Sequence, residues 1–396
     1  MPDPSEQRTL REVIVAQAIP PQQTSLDLKE LTELALRGLV KMFDPDRKLF
    51  CFRLYLSENG LVREGYSRRY TMMSLLGLRQ LESSGEACPI NIKDTLQSML
   101  RNWSCFDSAG DLGLLLWLCA EAAPEDLERI CFSSDFKIAL SRFSDARDAR
   151  TMELAWLLSG LAHAVLARGE ARSDLTNLTA KVFSLIRSNQ GKSGIFAHLA
   201  PQRTASGLIR GRIGSFADQV YPIYALARLA QAYDYDEPLE MATKCAESIC
   251  ELQGPLGQWW WHYDSRSGKV FQRYPVYSVH QDGMAPMALF ALAQATGKNY
   301  NEPINRGLQW TMGKNELNAD LRDALGSVIW RCIFPKAKYQ SYMLELLRYW
   351  GLRADGVSPR ALSIKLECRP YHFGWLLFAF APHLVVSHQA FLKTVI

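Results

Sequence analysis

"NQGKSGIF" at residues 189–196 and "LQGPLGQW" at residues 252–259 share a glutamine, a glycine four positions on and an aromatic two beyond it. Further along, at the same offset of 63 residues, "YALARLAQA" (224–232) matches "MALFALAQA" (287–295). Each unit reads helix, then Q-x-x-x-G-x-aromatic, then a long loop, then a helix rich in small residues. Repeated helical hairpins that share apolar faces mark a stacked or closed helical architecture.

The periodicity around this repeat agrees. Apolar residues recur at three-to-four spacing in fourteen stretches from 26–43 through 371–388, including 124–142 and 319–334. Six to seven helical hairpins follow from that count. Strand-like alternation is confined to pieces such as "LFCFRLYL" and "KVFQRYPVYSV". Alternate helices are rich in Ala, Gly, Ser and Leu, for example "ELAWLLSGLAHAV" and "GWLLFAFAP", which suits an inner ring of closely packed helices. Their more charged partners, such as "PLEMATKCAESICEL", suit an outer ring.

The 396 residues are 48% apolar and 22% charged, with a formal net charge of +4. A chain of this length can bury a large core. The small charge does not suggest a nucleic-acid binder, which concentrates basic residues on one face. No apolar run approaches the roughly 18–20 residues that span a bilayer. The polar start "MPDPSEQRTLREVIVAQ" lacks the order of a secretory signal. Nine cysteines, an odd number without a CxxC pair, read as reduced thiols and make the cytoplasm the expected location. Residues 1–25 are expected to be an extension, and 26–396 a single all-α domain.

The connections "LAQATGKNYNEPINRGLQW" and "LAQAYDYDEPLEMATKCAESI" resemble the inner-to-outer helix turn of α/α-toroid proteins. Six-hairpin glycosidases, uronyl hydrolases and lyases, and sugar epimerases belong to that group. The Q-x-x-x-G-x-W/F element is also similar to the repeat of terpenoid cyclases, which fold as related toroids. The resemblance implies that substrates bind where the outer-to-inner connections gather at one mouth of the barrel.

The long loops 190–216 and 253–281 are such connections, and long loops on a rigid scaffold carry function. Trp259, Trp260 and Trp261 could form a stacking platform for sugar rings, or anchor the loop on the core. Asp218, His280 and Asp282 fall at the starts of inner-type helices, with Asp218 opposite Gln281 at the repeat offset. The aspartates are equally suited to capping. His280 beside Tyr277 could exchange a proton with a sugar, or bridge loop to helix.

Arginine and tyrosine recur at equivalent places. They are Tyr66, Arg68, Arg69 and Tyr70 in the first hairpin, Arg210 and Arg212 on the long loop, and Arg369, Tyr371 and His372 in the last. Asp145, Arg147, Asp148 and Arg150 precede another inner-type helix, as a site or as a solvated charge cluster. Arginine forks favour an anionic glycan over a neutral one. No HExxH, P-loop or strand-linked GxGxxG is present, so no metal or cofactor is expected. "DYDE" (234–237) falls in an inner-to-outer turn, the wrong end of the barrel for a cyclase acid.

The leading expectation is a carbohydrate-active enzyme. Hydrolysis would use a carboxyl pair, Asp218 with Asp282. Elimination or epimerisation would use Tyr277, His280, His262 or Tyr371 to move the proton, and the residues favour that slightly. A non-catalytic glycan-binding toroid and an isoprenoid-processing toroid are the alternatives. His280→Ala is expected to abolish turnover while leaving stability nearly unchanged.

Overall fold

Glycine lets two helices meet backbone to backbone, and the helical ring depends on it. The computed structural model describes residues 28–101, 108–127, 133, 150–168, 173–199, 211–352 and 357–390. A Cβ on Gly160 would lie 2.2 Å from the Gly113 carbonyl oxygen, and one on Gly77 would lie 2.0 Å from that of Gly374. The first contact joins α4 (Ala109–Ala122) to α5 (Thr151–Arg168), and the second joins α2 (Arg68–Ser83) to α12 (Pro370–Ala390). From α5 the packing runs to α7 (Ala217–Tyr233), α9 (Ala285–Thr296) and α12, while α2 also packs on α4. Six inner helices therefore close on themselves, with the seam between α2 and α12.

Outside them lie α1 (Leu28–Met42), α3 (Ile92–Met99), α6 (Ser173–Ser188), α8 (Asp236–Glu251) and α10 (Asn301–Thr311). Each packs on an inner helix. An additional helix, α11 (Lys338–Tyr349), packs on the strand Lys269–Gln272. The barrel axis is filled by aromatic rings. Trp117 is fully buried and lies 4.8–5.7 Å, centroid to centroid, from the rings of His163, Tyr224, Trp375 and Phe378.

The repeat is built as its sequence suggests. Gln190 Nε2 donates to Gly194 O (3.0 Å) and to Met241 O of the next outer helix (2.9 Å). Gln253 Nε2 donates equivalently to Gly257 O (3.0 Å) and Pro303 O (2.9 Å). Both glycines are left-handed, with φ of +94° and +92°, and each lies too close to a neighbouring helix carbonyl to carry a Cβ.

Small antiparallel sheets occupy the outer-to-inner connections. β2 (Leu49–Ser57) pairs with β3 (Gly60–Tyr66) and β12 (Glu367–Cys368). β4 (Ile213–Ser215) pairs with β5 (His262–Asp264), which pairs with β6 (Lys269–Gln272). β10 (Cys332–Pro335) lies between β7 (Val276–Tyr277) and β11 (Leu362–Lys365).

Here the sequence reading needs one correction. The stretch 319–334, expected as a helix, forms β8 (Arg322–Asp323), β9 (Val328–Ile329) and β10. Leu321, Leu325, Val328, Ile329, Cys332 and Ile333 imitate a helical stripe, but Leu325 is 99% exposed on a turn, Leu321 is buried just before β8 and the others are buried as strand residues. Residues 1–27 and most of 128–149 lie outside the described residues.

Candidate functional site

Two connections meet edge to edge. Ser215 is in register with His262 and Ile213 with Asp264, while Phe216 N donates to Trp261 O (2.8 Å). The described parts of loops 190–216 and 253–281 therefore lie side by side at the amino-terminal ends of the inner helices. Arg210, Asp145, Arg147 and Asp148 lie outside the described residues.

The three tryptophans divide. Trp259 is fully buried against Phe216 (5.5 Å), and Trp260 is 6% exposed between Tyr274 and the Arg273 guanidinium. Both anchor the loop. Trp261 is half-buried, stacked on His262 (4.5 Å) and edge-on to Tyr277 (5.6 Å). Of the three, its face suits a ligand. His262 Nδ1 is 3.0 Å from Gln272 Oε1, which orients the ring.

The carboxyl groups at the inner-helix starts differ in how far they are engaged. Asp218, fully buried, accepts from Met152 N (3.0 Å), Ser215 N and Oγ (both 2.8 Å), and lies 2.9 Å from His198 Nδ1. It ties β4 to α5 and α7 rather than projecting into the mouth. Asp282 is also fully buried, with Oδ1 2.6 Å from Nε2 of buried His372. The carboxyl pair expected for hydrolysis is thus buried inside the protein, with Asp282 Oδ2 left without a hydrogen-bond partner. Asp111 receives two hydrogen bonds from Arg69 (2.6 and 2.9 Å). Glu153, on the first turn of α5, lies 4.0 Å from Arg69 Nη2. Burial raises its pKa despite the charges of Arg69 and Arg150. Sequence reasoning passed over Glu153, because an acidic residue in a first helical turn reads as a favourable helix-dipole contact.

His280 opens a π turn (His280–Met284) that leads into α9. Gln281 pairs with the backbone of Trp259 as Gln219 pairs with that of Phe196, so the structural counterpart of Gln281 is Gln219 rather than Asp218. The π turn absorbs the odd residue and restores the repeat register further along. His280 thereby occupies the position of Asp218. It is 6% exposed, packed against Phe216 (4.7 Å) and Tyr277 (5.1 Å). The ring bonds the main chain of Trp259, and Nδ1 has no hydrogen-bond partner. Burial, reinforced by the charge of Arg331, lowers its pKa to about 3. The ring is neutral at ordinary pH.

The seam side of the mouth carries arginine and tyrosine. Tyr70 and Tyr371 rings lie 4.6 Å apart, and Arg369 Nη1 donates to Tyr70 Oη (2.8 Å). Arg331, hidden from sequence reasoning by the false helix, sits 5.0 Å over the Tyr277 ring. Burial opposes its charge, yet the nearness of Tyr371, Tyr277 and Glu367 raises its pKa. Tyr66 and Arg68 do not join this group. Tyr66 is exposed and donates to Asp44, and Arg68 faces solvent. Arg212 is half-buried, 3.5 Å from Asp264.

No protein-family model matches the sequence, and no curated protein does. Solved structures match over nearly the whole chain. An unsaturated glucuronyl hydrolase specific for heparin covers 91% of this chain and 98% of its own, at 14% identity and a TM-score of 0.53. A sugar epimerase from a ruminal bacterium covers 89% and 97%, at 12% identity and 0.60. A possible member of the GH105 family from Salmonella enterica covers 92% and 96%, at 10% identity and 0.57.

The fold is the α/α toroid. Tyr70, Glu153 and Tyr371 stand on the first turns of inner helices, His280 on the π turn before α9 and Tyr277 on β7, with Arg331, Arg369 and Trp261 on the strands and loops beside them. Among the described residues, no group of three or more His, Cys, Asp or Glu side chains could hold a metal ion, and no helix is long and apolar enough to cross a membrane.

Proposed function

We propose that this chain is a carbohydrate-active enzyme that moves a proton to or from a sugar bound at the toroid mouth, by elimination or epimerisation. The observation that carries this reading is the clustering of His280, Tyr277, Arg331, Arg369, Tyr70 and Tyr371 beside the starts of the inner helices. Tyrosine and histidine beside guanidinium groups are the side chains that proton transfer at an anionic sugar requires.

A side chain of this cluster, Tyr277, Tyr371 or His280, then takes a proton from a sugar carbon. In elimination the electron pair left behind forms a double bond, the bond to the leaving oxygen breaks, and Glu153 protonates that oxygen. In epimerisation the carbon is reprotonated from its other face. Trp261 offers a face for the apolar side of the ring. Hydrolysis by Asp218 and Asp282 is less favoured, since both carboxyl groups are fully buried and Asp218 is held by both oxygens, Asp282 by one. The mouth's arginines and tyrosines disfavour an apolar isoprenoid cavity. Among the fold neighbours, one is named as a glucuronyl hydrolase and one as a sugar epimerase, and this reading lies within that range.

The test is incubation with uronate and neutral oligosaccharides in deuterium oxide. Deuterium entering the sugar, or absorbance from an unsaturated uronide, supports proton transfer. New reducing ends without either would overturn it in favour of hydrolysis. Binding without any turnover would make the protein a glycan-binding toroid.

A further inference from the structure

Among the described residues, the seam of the ring carries more positive charge than its carboxylates balance. Glu367, 2% exposed on β12, is approached by three guanidinium groups. Arg53 Nη1 donates to its Oε2 (2.9 Å), and Arg369 Nε donates to its Oε1 (2.7 Å). Arg331 Nη1 lies 3.4 Å from that same Oε1. Arg53 is offset by Glu64, to which it makes two further bonds (2.9 and 3.1 Å). Two guanidinium groups, those of Arg331 and Arg369, therefore share one carboxylate.

Both side chains are mostly buried, at 18% and 16% exposed. A buried cation is costly unless paired and hydrogen-bonded. Arg331 is fixed in place at both ends. Its amide donates to Lys365 O (3.2 Å), its carbonyl accepts from Ser278 N (3.0 Å), and its guanidinium lies over Tyr277. Among the described residues Glu367 is its one ion-pair partner.

We propose that Arg331 and Arg369 form a subsite for the carboxylate of a hexuronic acid, on the seam side of the mouth. The inference rests on the sugar reading above and adds the substrate class. A planar carboxylate matches the fork of a guanidinium, and the excess positive charge selects an anion over a neutral hydroxymethyl group. Tyr70, hydrogen-bonded to Arg369 and stacked on Phe52, and Tyr371, tilted against Tyr70, wall the subsite with aromatic rings. The subsite draws on β2, α2, β10, β12 and α12, so it joins the first and last hairpins. An anion bound there ties the ring closed.

The experiment measures binding and melting temperature of the full chain with D-glucuronate, D-glucose and sodium acetate at matched ionic strength. D-glucuronate is expected to bind at least tenfold more tightly than D-glucose and to raise the melting temperature more than acetate does. Arg331→Gln is expected to lose about 10–100-fold in glucuronate affinity, the equivalent of one charge-assisted bond. Arg331→Lys should recover part of it, and circular dichroism identifies any variant that has not folded. If Arg331→Gln proves unfolded, Arg369→Lys carries the same comparison. Equal binding of glucuronate and glucose, or an Arg331→Gln protein that folds and binds glucuronate as the wild type does, overturns the anion subsite and leaves the sugar reading intact. Acetate acting as well as glucuronate makes the ligand a simple anion and overturns the hexuronate. Binding of neither sugar overturns both readings.

Discussion

His280 is held neutral by its surroundings, and that has a direction with pH. Its folded pKa, about 3, lies below the ordinary histidine value of about 6.5. Between those values the unfolded chain binds the extra proton and the folded one does not, so stability rises with pH across that window. The stabilising preference is complete above about pH 6.5 and is lost as pH falls towards about 3. Urea titrations of wild type and His280→Gln from pH 7 to 4 should show a steeper loss for the wild type, and parallel curves would contradict the shift. His280→Ala is also expected to cost stability, contrary to the expectation from sequence, because the ring is buried between Phe216 and Tyr277. The neighbouring tryptophans should separate cleanly. Trp259→Ala is expected to cost about 3–5 kcal/mol in chemical denaturation. Trp261→Ala should leave that value nearly unchanged and weaken sugar binding in a calorimetric titration. Much of this chemistry was legible in the chain. The cluster of Trp261, Tyr277 and His280 was visible as local composition at a helix start. Arg331 was not, since its partners Glu367, Tyr277 and Tyr371 are brought together only by pairing of distant strands.

At the scale of elements, the repeat carried its meaning through specific bonds. Gln190 and Gln253 each close a turn on their own glycine and reach the next outer helix, so similarity in sequence became identity in hydrogen bonding. The helical ring could be read because its inner helices are rich in residues that allow close approach. Gly160 tests this. Alanine there gains roughly 1 kcal/mol of helix propensity but pushes a Cβ against the Gly113 carbonyl, and such overpacking costs roughly 1–3 kcal/mol or more. Gly160→Ala is therefore expected to lower the melting temperature, and an unchanged or raised value would mean the two helices slide apart freely. Strands fared worse than helices. Short pairs such as β8 and β9 have no period long enough to register, and six spaced apolar residues there resemble a helix until turn chemistry intervenes. The π turn was invisible for a related reason, since one inserted residue changes hydrogen bonding without changing composition.

For the whole molecule, closure rests on α12 meeting α2, elements almost 300 positions apart in the chain. Glycine-to-glycine contact at that seam means the last inner helix cannot be trimmed without opening the ring. A chain ending before Pro370 is expected to lose cooperative unfolding altogether, as seen by calorimetry. A sharp transition in the truncated chain would show that five hairpins suffice. All seven described cysteines are free thiols. Thiol titration in denaturant without reductant is expected to return nine per chain. The rings packed around Trp117 have a further consequence, one of traffic. They pack side chains of α4, α5, α7 and α12 against one another, so the ring is filled there rather than open. A polymer cannot be threaded through a filled ring. Under the proposed function, a product would leave by the side on which the substrate entered, so each departure would precede the next arrival.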